Sequence, residues 1–328
     1  MLSIFRTNQL LASILLTFYI VLVRISVWFV PENWEPSGYG PLSAWVYQWI
    51  GHSGTTPNLV AIVLLLLQAT FLNYIISEHR LADTVSLFPG LFYVLASSLL
   101  PELLHLSPLL MANTFLLLSI NEIFATYKKT DCADRIYNIG FWIGIAVLFY
   151  PAYLVFLILA FSGLNILRAF KFKERLMVLT GLLTPFLLLS AYAFWQRQLM
   201  DFLQSLKDGL GFLDFTPSPA FPTYRSLAVF AILILVVLFS YRSYQYKQVI
   251  EVQRKINILF WALLASAFSL LIQANIQIDL LLITTIPIGV MLSINFIRMP
   301  TRMAEVIHLL ILAGALALQF WGWLTPGS

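Results

Sequence analysis

The chain has 328 residues, of which 60% are hydrophobic and 10% charged, and its mean hydropathy is +0.87. Soluble globular domains are about 45–50% apolar, so this composition excludes a water-soluble domain as the bulk of the chain and indicates a membrane protein in contact with the lipid bilayer. The net charge of +4 and the pI near 9.1 indicate no nucleic-acid partner, because the basic residues are spread over short connections instead of one patch.

Eleven apolar runs predict membrane-spanning helices, because a spanning helix needs roughly 20 mostly apolar residues and backbone groups in lipid are satisfied within helices. The runs cover residues 8–30, 57–77, 86–100, 108–126, 138–150, 153–168, 176–195, 226–241, 256–274, 279–297 and 304–324. The first run is too long for a signal-peptide core and has no small-residue cleavage site, so we expect it to be retained. The runs on either side of Pro151 form either a tight hairpin or one kinked element.

The positions of the cations predict the orientation of these spans. Fifteen of the nineteen Lys and Arg residues fall in alternate connections, and short connections rich in Lys and Arg stay in the cytoplasm. These fifteen are Arg6, Arg80, Lys128, Lys129, Arg135, Arg168, Lys171, Lys173, Arg175, Arg242, Lys247, Arg254, Lys255, Arg298 and Arg302. The predicted fold class is therefore an all-α, polytopic transmembrane bundle in the inner membrane, with its N-terminus in the cytoplasm and one domain over residues 1–328.

Two longer connections are predicted to be periplasmic, at residues 31–56 and 196–225. Each contains an amphipathic stretch that predicts a helix lying along the membrane surface. The first stretch is residues 41–50, which is rich in Trp and Tyr, and the second repeats apolar residues at helical spacing over 202–213. Pro217, Pro219 and Pro222 then predict an extended exit.

Acidic residues in the outer connections are the candidate catalytic groups. Glu32 and Glu35 follow the first span, and Glu102 with His105 lies between the third and fourth spans. Together they would supply a general base for an acceptor hydroxyl, or a divalent-metal site, with His105 as a ligand, for a pyrophosphate-bearing lipid. The alternative is that these acids are solvated and only reinforce the charge asymmetry.

Three arginines are candidates for binding a lipid phosphate, because the planar guanidinium group can donate two hydrogen bonds to one phosphate. Arg197 and Arg225 flank the second long outer connection, and Arg24 lies inside the first span. Arg24 has two alternatives, snorkelling to the outer headgroups or pairing with an acid such as Glu32. For Arg197 and Arg225 the alternative is an interfacial anchor.

Polar residues inside the spans are interpreted as hydrogen-bonding links between helices, or as the lining of a polar path. Glu122 is predicted to pair with Lys128 or Lys129, and His308 to be a packed, hydrogen-bonded histidine or a proton relay. The amide residues in this group are Asn73, Asn113, Asn165, Gln273 and Asn295.

Two resemblances add to this interpretation. Residues 5–9, and the stretch 73–122 with its segments 99–102 and 107–113, resemble an uncharacterised multi-pass membrane family common in Bacteroidota. The first 130 residues or so are similar to the GT-C glycosyltransferases: an acidic first outer loop, an amphipathic helix along the membrane, and a second acid after the third span. That similarity implies transfer of a sugar from a polyprenyl-phosphate carrier, with the catalytic carboxylate at Glu32 or Glu35 and the second acidic position at Glu102.

Three functions therefore stay open from the sequence. The first is a glycosyltransferase that uses a polyprenyl-linked sugar at the periplasmic face. The second is a transporter or flippase, which requires charges near the bilayer midplane and broken helices in matching halves. The third is a non-catalytic assembly partner in envelope biogenesis, which requires no reaction site.

Overall fold

The computed structural model describes residues 2–6, 10–29, 40–209, 224–246, 248–269 and 278–324, and these residues form an all-α protein. Its α-helices are α1 (Leu2–Phe5), α2 (Leu10–Val23), α3 (Pro41–Ile50), α4 (Thr55–Glu78), α5 (Phe88–Ala96), α6 (Pro108–Ala125), α7 (Ala133–Phe149), α8 (Phe156–Leu167), α9 (Phe172–Trp195), α10 (Leu199–Gly209), α11 (Tyr224–Phe239), α12 (Tyr241–Gln245), α13 (Ile250–Ser269), α14 (Thr285–Arg298) and α15 (Thr301–Leu324). Four 3-10 helices connect them, at Ile25–Trp28, Pro101–Leu103, Pro151–Val155 and Ile278–Thr284.

Each of the eleven predicted runs contains a helix, and several of these helices have the length and composition of membrane spans. Five helical stretches within the described ranges are long and apolar enough to cross a bilayer. They are Thr55–Glu78, Pro108–Ala125, Phe172–Trp195, Ile278–Arg298 and Thr301–Phe320. Helices over the two amphipathic stretches are also present, as α3 and α10. The proline-rich exit after α10 lies outside the described residues.

Contacts between distant connections show which helix ends lie together. Arg298 Nε donates to Asp83 Oδ2 at 3.3 Å, and Arg168 Nη1 donates to the Thr126 carbonyl at 3.2 Å. Arg6 Nη2 donates to the Met299 carbonyl at 2.9 Å. Most of the described cations therefore share one end of the bundle. We call this end, formed by residues 79–87, 126–135, 168–175, 240–246, 248–255 and 298–302, the basic end.

The other end of the bundle is formed by residues 24–29, 97–107, 149–155 and 278–284, and we call it the Arg24 end. The sequence predicted either a tight hairpin or one kinked element around Pro151, and the structure shows a hairpin there. Helix α7 ends at Phe149, Tyr150 is extended, and the chain reverses through the 3-10 helix before α8 returns to the basic end.

Several predicted runs are α-helical over only part of their length, as the runs at 86–100 and 279–297 show. The run at 86–100 was predicted to be helical throughout, but α5 ends at Ala96. Pro101 disfavours the helical conformation at the residue before it, and Leu100 is accordingly extended, with φ −119° and ψ 147°. The run at 279–297 begins as a 3-10 helix and becomes α-helical only at Thr285.

Helices α5 and α14 lie at the centre of the bundle and are buried along almost their whole lengths. They approach closely because Gly289 faces the backbone of α5. A Cβ atom on Gly289 would lie 2.7 Å from Tyr93 Cα and 2.8 Å from Tyr93 N. Small residues at such positions let helices meet through backbone contacts, which stabilises packing where no water is displaced.

Replacing Gly289 by Val should separate α5 from α14 and destabilise the protein. Overpacking of a well-packed contact costs about 1–3 kcal/mol, so thermal unfolding of the purified protein in detergent should begin at a lower temperature. Gly314→Val is the matched control, since a Cβ atom at Gly314 meets nothing within 4 Å. Equal unfolding temperatures for the two variants would contradict the close α5–α14 contact.

Candidate functional site

Residues 97–107 at the Arg24 end form a buried turn between α5 and α6 that contains only one short 3-10 helix. Pro101 and Pro108 produce this local structure, because the residue before each proline is extended. Some backbone carbonyls in such a turn have no partner within a helix. At membrane depth these carbonyls need partners from elsewhere in the protein.

Arg24 supplies those partners. Its side chain is 1% exposed, and its Nη1 donates to the Leu104 carbonyl at 2.8 Å and its Nη2 to the Leu103 carbonyl at 3.3 Å. Its Nε donates to Ser98 Oγ at 3.2 Å. A guanidinium group suits this role because its donors form a fixed planar fork. These bonds join the end of α2 to the buried turn.

Two further side chains hold the same turn. Tyr47 of α3 donates its hydroxyl to the Leu106 carbonyl at 2.6 Å. Gln319 of α15 donates to the Ser98 carbonyl and accepts from the Ser26 hydroxyl at 2.8 Å. The buried turn is therefore bonded to α3, α15 and the end of α2.

The predicted acid Glu102 lies on this turn, half-buried, as does His105. The structure adds a second acid that the sequence analysis did not select. Asp279, 5% exposed, interacts electrostatically with Glu102, and its carboxylate accepts hydrogen bonds from the backbone N–H groups of residues 279 and 280. The 3-10 helix that begins at Ile278 packs against the Glu102 turn. Two carboxylates thus interact with each other at the same end of the bundle as Arg24.

The remaining predicted site residues are divided between described and undescribed parts of the chain. Glu32, Glu35 and the side chain of Arg225 lie outside the described residues. Arg197 is exposed and has a left-handed backbone, with φ 59°. It lines a groove of about 640 Å³ between α9 and α10. The other residues that line the groove are Phe194, Trp195, Leu199, Met200 and Asp201.

Neutral polar side chains link the helices to one another and to the segments at the two ends. Asn113 Nδ2 donates to the Leu282 carbonyl at 3.1 Å, and its Oδ1 accepts from the Tyr153 hydroxyl at 2.8 Å. Asn73 accepts from the Gly90 N–H at 2.7 Å. Asn165 accepts from Arg175, and Asn295 donates to the Tyr244 hydroxyl at 2.8 Å. The predicted hydrogen-bonding role is confirmed for these four residues, and Gln273 lies outside the described residues.

The buried charged side chains of the described ranges lie towards the two ends of the bundle. Arg24 and Asp279 lie at the Arg24 end, and Glu174, Arg175 and Lys255 lie at the basic end. His308 is also buried, and its Nε2 is 2.9 Å from the Tyr19 hydroxyl, as expected for a packed, hydrogen-bonded histidine. The described ranges contain no group of three or more His, Cys, Asp or Glu side chains placed to hold a metal ion.

Pairing at the basic end differs from the prediction in one case. Glu122 pairs with Arg135 at 3.2 Å and not with Lys128 or Lys129. The reason is that α7 packs along α6, so Arg135 at its start reaches the end of α6. Lys128 follows α6 directly in a left-handed conformation, with φ 54°.

The basic end also contains a buried cluster that the sequence analysis missed. Lys255 is 2% exposed and pairs with Glu251, four residues earlier on α13. Its Nζ also lies 3.4 Å from His79 Nδ1, and His79 Nε2 lies 3.1 Å from Asn121 Oδ1. The ammonium group can only donate, so Nδ1 accepts and Nε2–H donates to Asn121. Burial and, secondarily, the charge of Lys255 lower the pKa of His79 to about 4.

Comparison with known protein families, with curated proteins and with solved structures gives no match to this chain.

Substitution of Arg24 tests how strongly the stability of the buried turn depends on this side chain. In Arg24→Met the carbonyls of Leu103 and Leu104 lose their donors, and hydrogen bonds to charged groups are each worth about 1.5–3 kcal/mol. We expect a lower unfolding temperature in detergent, with Arg24→Lys intermediate because it keeps one donor group. Arg197→Met, at an exposed position, is the control. Unfolding of Arg24→Met at the wild-type temperature would contradict the assigned role.

The neutral state of His79 predicts a pH-dependent loss of stability. The pKa of an unfolded histidine is about 6.5, above the value of about 4 in the folded protein. Between these values the unfolded chain binds a proton that the folded chain does not, so stability is lost as pH falls from about 6.5 to 4. Thermal unfolding of wild type and His79→Gln should show a difference that changes across this window. A difference that stays constant with pH would contradict the prediction.

Proposed function

We propose that this chain is a multi-pass inner-membrane protein whose basic end faces the cytoplasm and whose Arg24 end faces the periplasm. The gathering of cations at one end of the bundle supports this orientation, since Lys- and Arg-rich connections are retained in the cytoplasm. The helices of spanning length support the membrane location. In this orientation Glu102, Asp279 and Arg197 lie at the periplasmic side.

We further propose that the Arg24 end is the reaction site of a glycosyltransferase that uses a polyprenyl-phosphate-linked sugar. The observation that carries this proposal is the hydrogen bond from Tyr47 to the Leu106 carbonyl. It attaches α3, the helix that directly follows the segment with Glu32 and Glu35, to the turn that bears Glu102. The helix that follows the first acidic element of the GT-C resemblance is thereby bonded to the turn that bears the second, which supports the proposal.

The proposed site gives each group a separate role. Glu32 or Glu35 acts as general base towards the acceptor hydroxyl, and Glu102 provides the second carboxylate. Arg197 and Arg225 bind the carrier phosphate, with the aromatic groove at Phe194 and Trp195 receiving the first part of the prenyl chain. Arg24 is a positioning residue in this scheme, because its observed bonds go to the backbone and hydroxyl of the Glu102 turn.

A non-catalytic assembly partner is the second candidate. The observation that favours it is the same set of Arg24 bonds, since a guanidinium group that holds the Leu103 and Leu104 carbonyls and the Ser98 hydroxyl has a structural role that requires no reaction. A transporter receives less support. It calls for charges near the midplane, and the buried charges of the described ranges lie towards the ends.

Glutamine substitutions test the transferase. A general base contributes about 10²–10⁴-fold to rate, so Glu32→Gln or Glu35→Gln should reduce surface-glycan addition by that factor when it complements a deletion strain. Glu102→Gln should also reduce addition. Surface-glycan and glycolipid profiles, with membrane levels measured by immunoblot, provide the comparison.

Asp131→Asn is the control for these variants, because it removes one exposed negative charge at the basic end. It should keep the wild-type glycan profile. If all three glutamine variants reach normal membrane levels and leave the surface-glycan profile unchanged, the transferase proposal is wrong. The non-catalytic assembly partner is then the better supported alternative.

A further inference from the structure

A second concave site lies at the basic end, around the buried cluster of Lys255 and His79. It is a cavity of about 240 Å³, formed where the ends of α4 and α6 meet the start of α13. Its polar lining includes Glu78, His79, Asn121, Lys129, Arg135, Glu251 and Lys255, together with the rings of Tyr74 and Tyr127. This cavity is at the opposite end of the bundle from the proposed transferase site and has no part in it.

The innermost cation of this cavity has an exchangeable partner. The Lys255 side chain is 2% exposed, whereas the Glu251 side chain that pairs with it is 40% exposed. A buried ammonium group is stabilised by a counter-charge. An exposed carboxylate on the same helix can rotate into water at little cost, and an entering anion would then take its place beside Lys255.

The remaining lining groups favour an anion. Lys129 is exposed at the rim, and Arg135 has one nitrogen bonded to Glu122 while its guanidinium lines the cavity. Three cations therefore face two carboxylates, Glu78 and Glu251, and His79 is neutral. Once Glu251 turns away, the charge facing the cavity is more positive by one unit. The cavity is too small for a drug-sized molecule, since such ligands need about 300–1,000 Å³, but a phosphate group is far smaller.

We propose that this cavity binds a phosphate group, either free phosphate or the phosphomonoester headgroup of a lipid, with Lys255 as its central ligand and Lys129 at its entrance. Binding exchanges the Lys255–Glu251 pair for a Lys255–phosphate pair. Charge-assisted hydrogen bonds of this kind are about twice as strong as neutral ones. His79 accepts a hydrogen bond from Lys255, and Asn121 orients the imidazole ring of His79.

The direction in which Glu251→Gln changes the affinity for phosphate distinguishes a binding site from a purely structural ion pair. Glu251 competes with the ligand, so Glu251→Gln should bind phosphate more tightly than wild type. Lys129→Gln should bind it about tenfold or more weakly, as expected for one lost charged hydrogen bond. Arg254→Gln is the control, because Arg254 is an exposed neighbour of Lys255 that does not line the cavity.

Binding is measured on the full-length chain purified in detergent, by thermal unfolding during titration with inorganic phosphate and by native mass spectrometry with added phosphatidate or phosphatidylcholine. Stabilisation by inorganic phosphate identifies a free-phosphate site. Retention of phosphatidate, but not of phosphatidylcholine, identifies a lipid site. Either result, together with weaker binding by Lys129→Gln and tighter binding by Glu251→Gln, supports the proposal.

Three results would overturn it. These are no binding of either probe by wild type, equal binding by wild type and Lys129→Gln, or weaker binding by Glu251→Gln. Lys255→Met should abolish binding as well, but removing this buried charge also destabilises the fold. The Lys129 and Glu251 variants change exposed groups, so their phosphate binding tests the proposal even if Lys255→Met does not fold.

Discussion

The cost of removing a charge or a hydrogen-bonding group from water organises this protein. In a low-dielectric interior such a group needs a partner, and the described part of the chain meets this need in two ways. Neutral amides and hydroxyls such as Asn113 and Tyr153 bond to one another inside the bundle. Charged groups are kept at the ends, and most cations are gathered at one of them. The helical elements, their alternation and the proposed orientation all follow from this sorting.

Two buried cations are held in different ways, and the difference indicates different uses. Arg24 bonds to carbonyl and hydroxyl oxygens, which cannot leave without breaking the turn at residues 97–107. Its role is to keep a non-helical segment intact and so to position Glu102. Lys255 is held by a half-exposed carboxylate that can turn into water. An exchangeable partner suits ligand binding, so the two ends of the bundle are proposed to have separate tasks.

Hydropathy and proline positions predicted where helices lie, but not which faces meet. The eleven runs and the amphipathic stretch at 41–50 became helices because their patterns are local. The choice of Arg135 over Lys129 as partner of Glu122 depends on how α7 crosses α6, and the His79–Lys255 contact joins residues 176 positions apart. No local pattern contains that information. The end of α5 at Ala96 could be predicted only in part. Pro101 requires an extended backbone at Leu100, but the turn also depends on the distant Arg24, which bonds to the Leu103 carbonyl.

The orientation of the bundle is the claim on which the proposed reaction site depends, and cysteine labelling tests it most directly. In a Cys132→Ser background, Thr130→Cys places a thiol at an exposed position of the basic end, and Gln196→Cys places one at an exposed position of the other end. A maleimide that does not cross the inner membrane should label Gln196→Cys in intact cells and Thr130→Cys only after lysis. Labelling of Thr130→Cys in intact cells, with Gln196→Cys protected, would contradict the account.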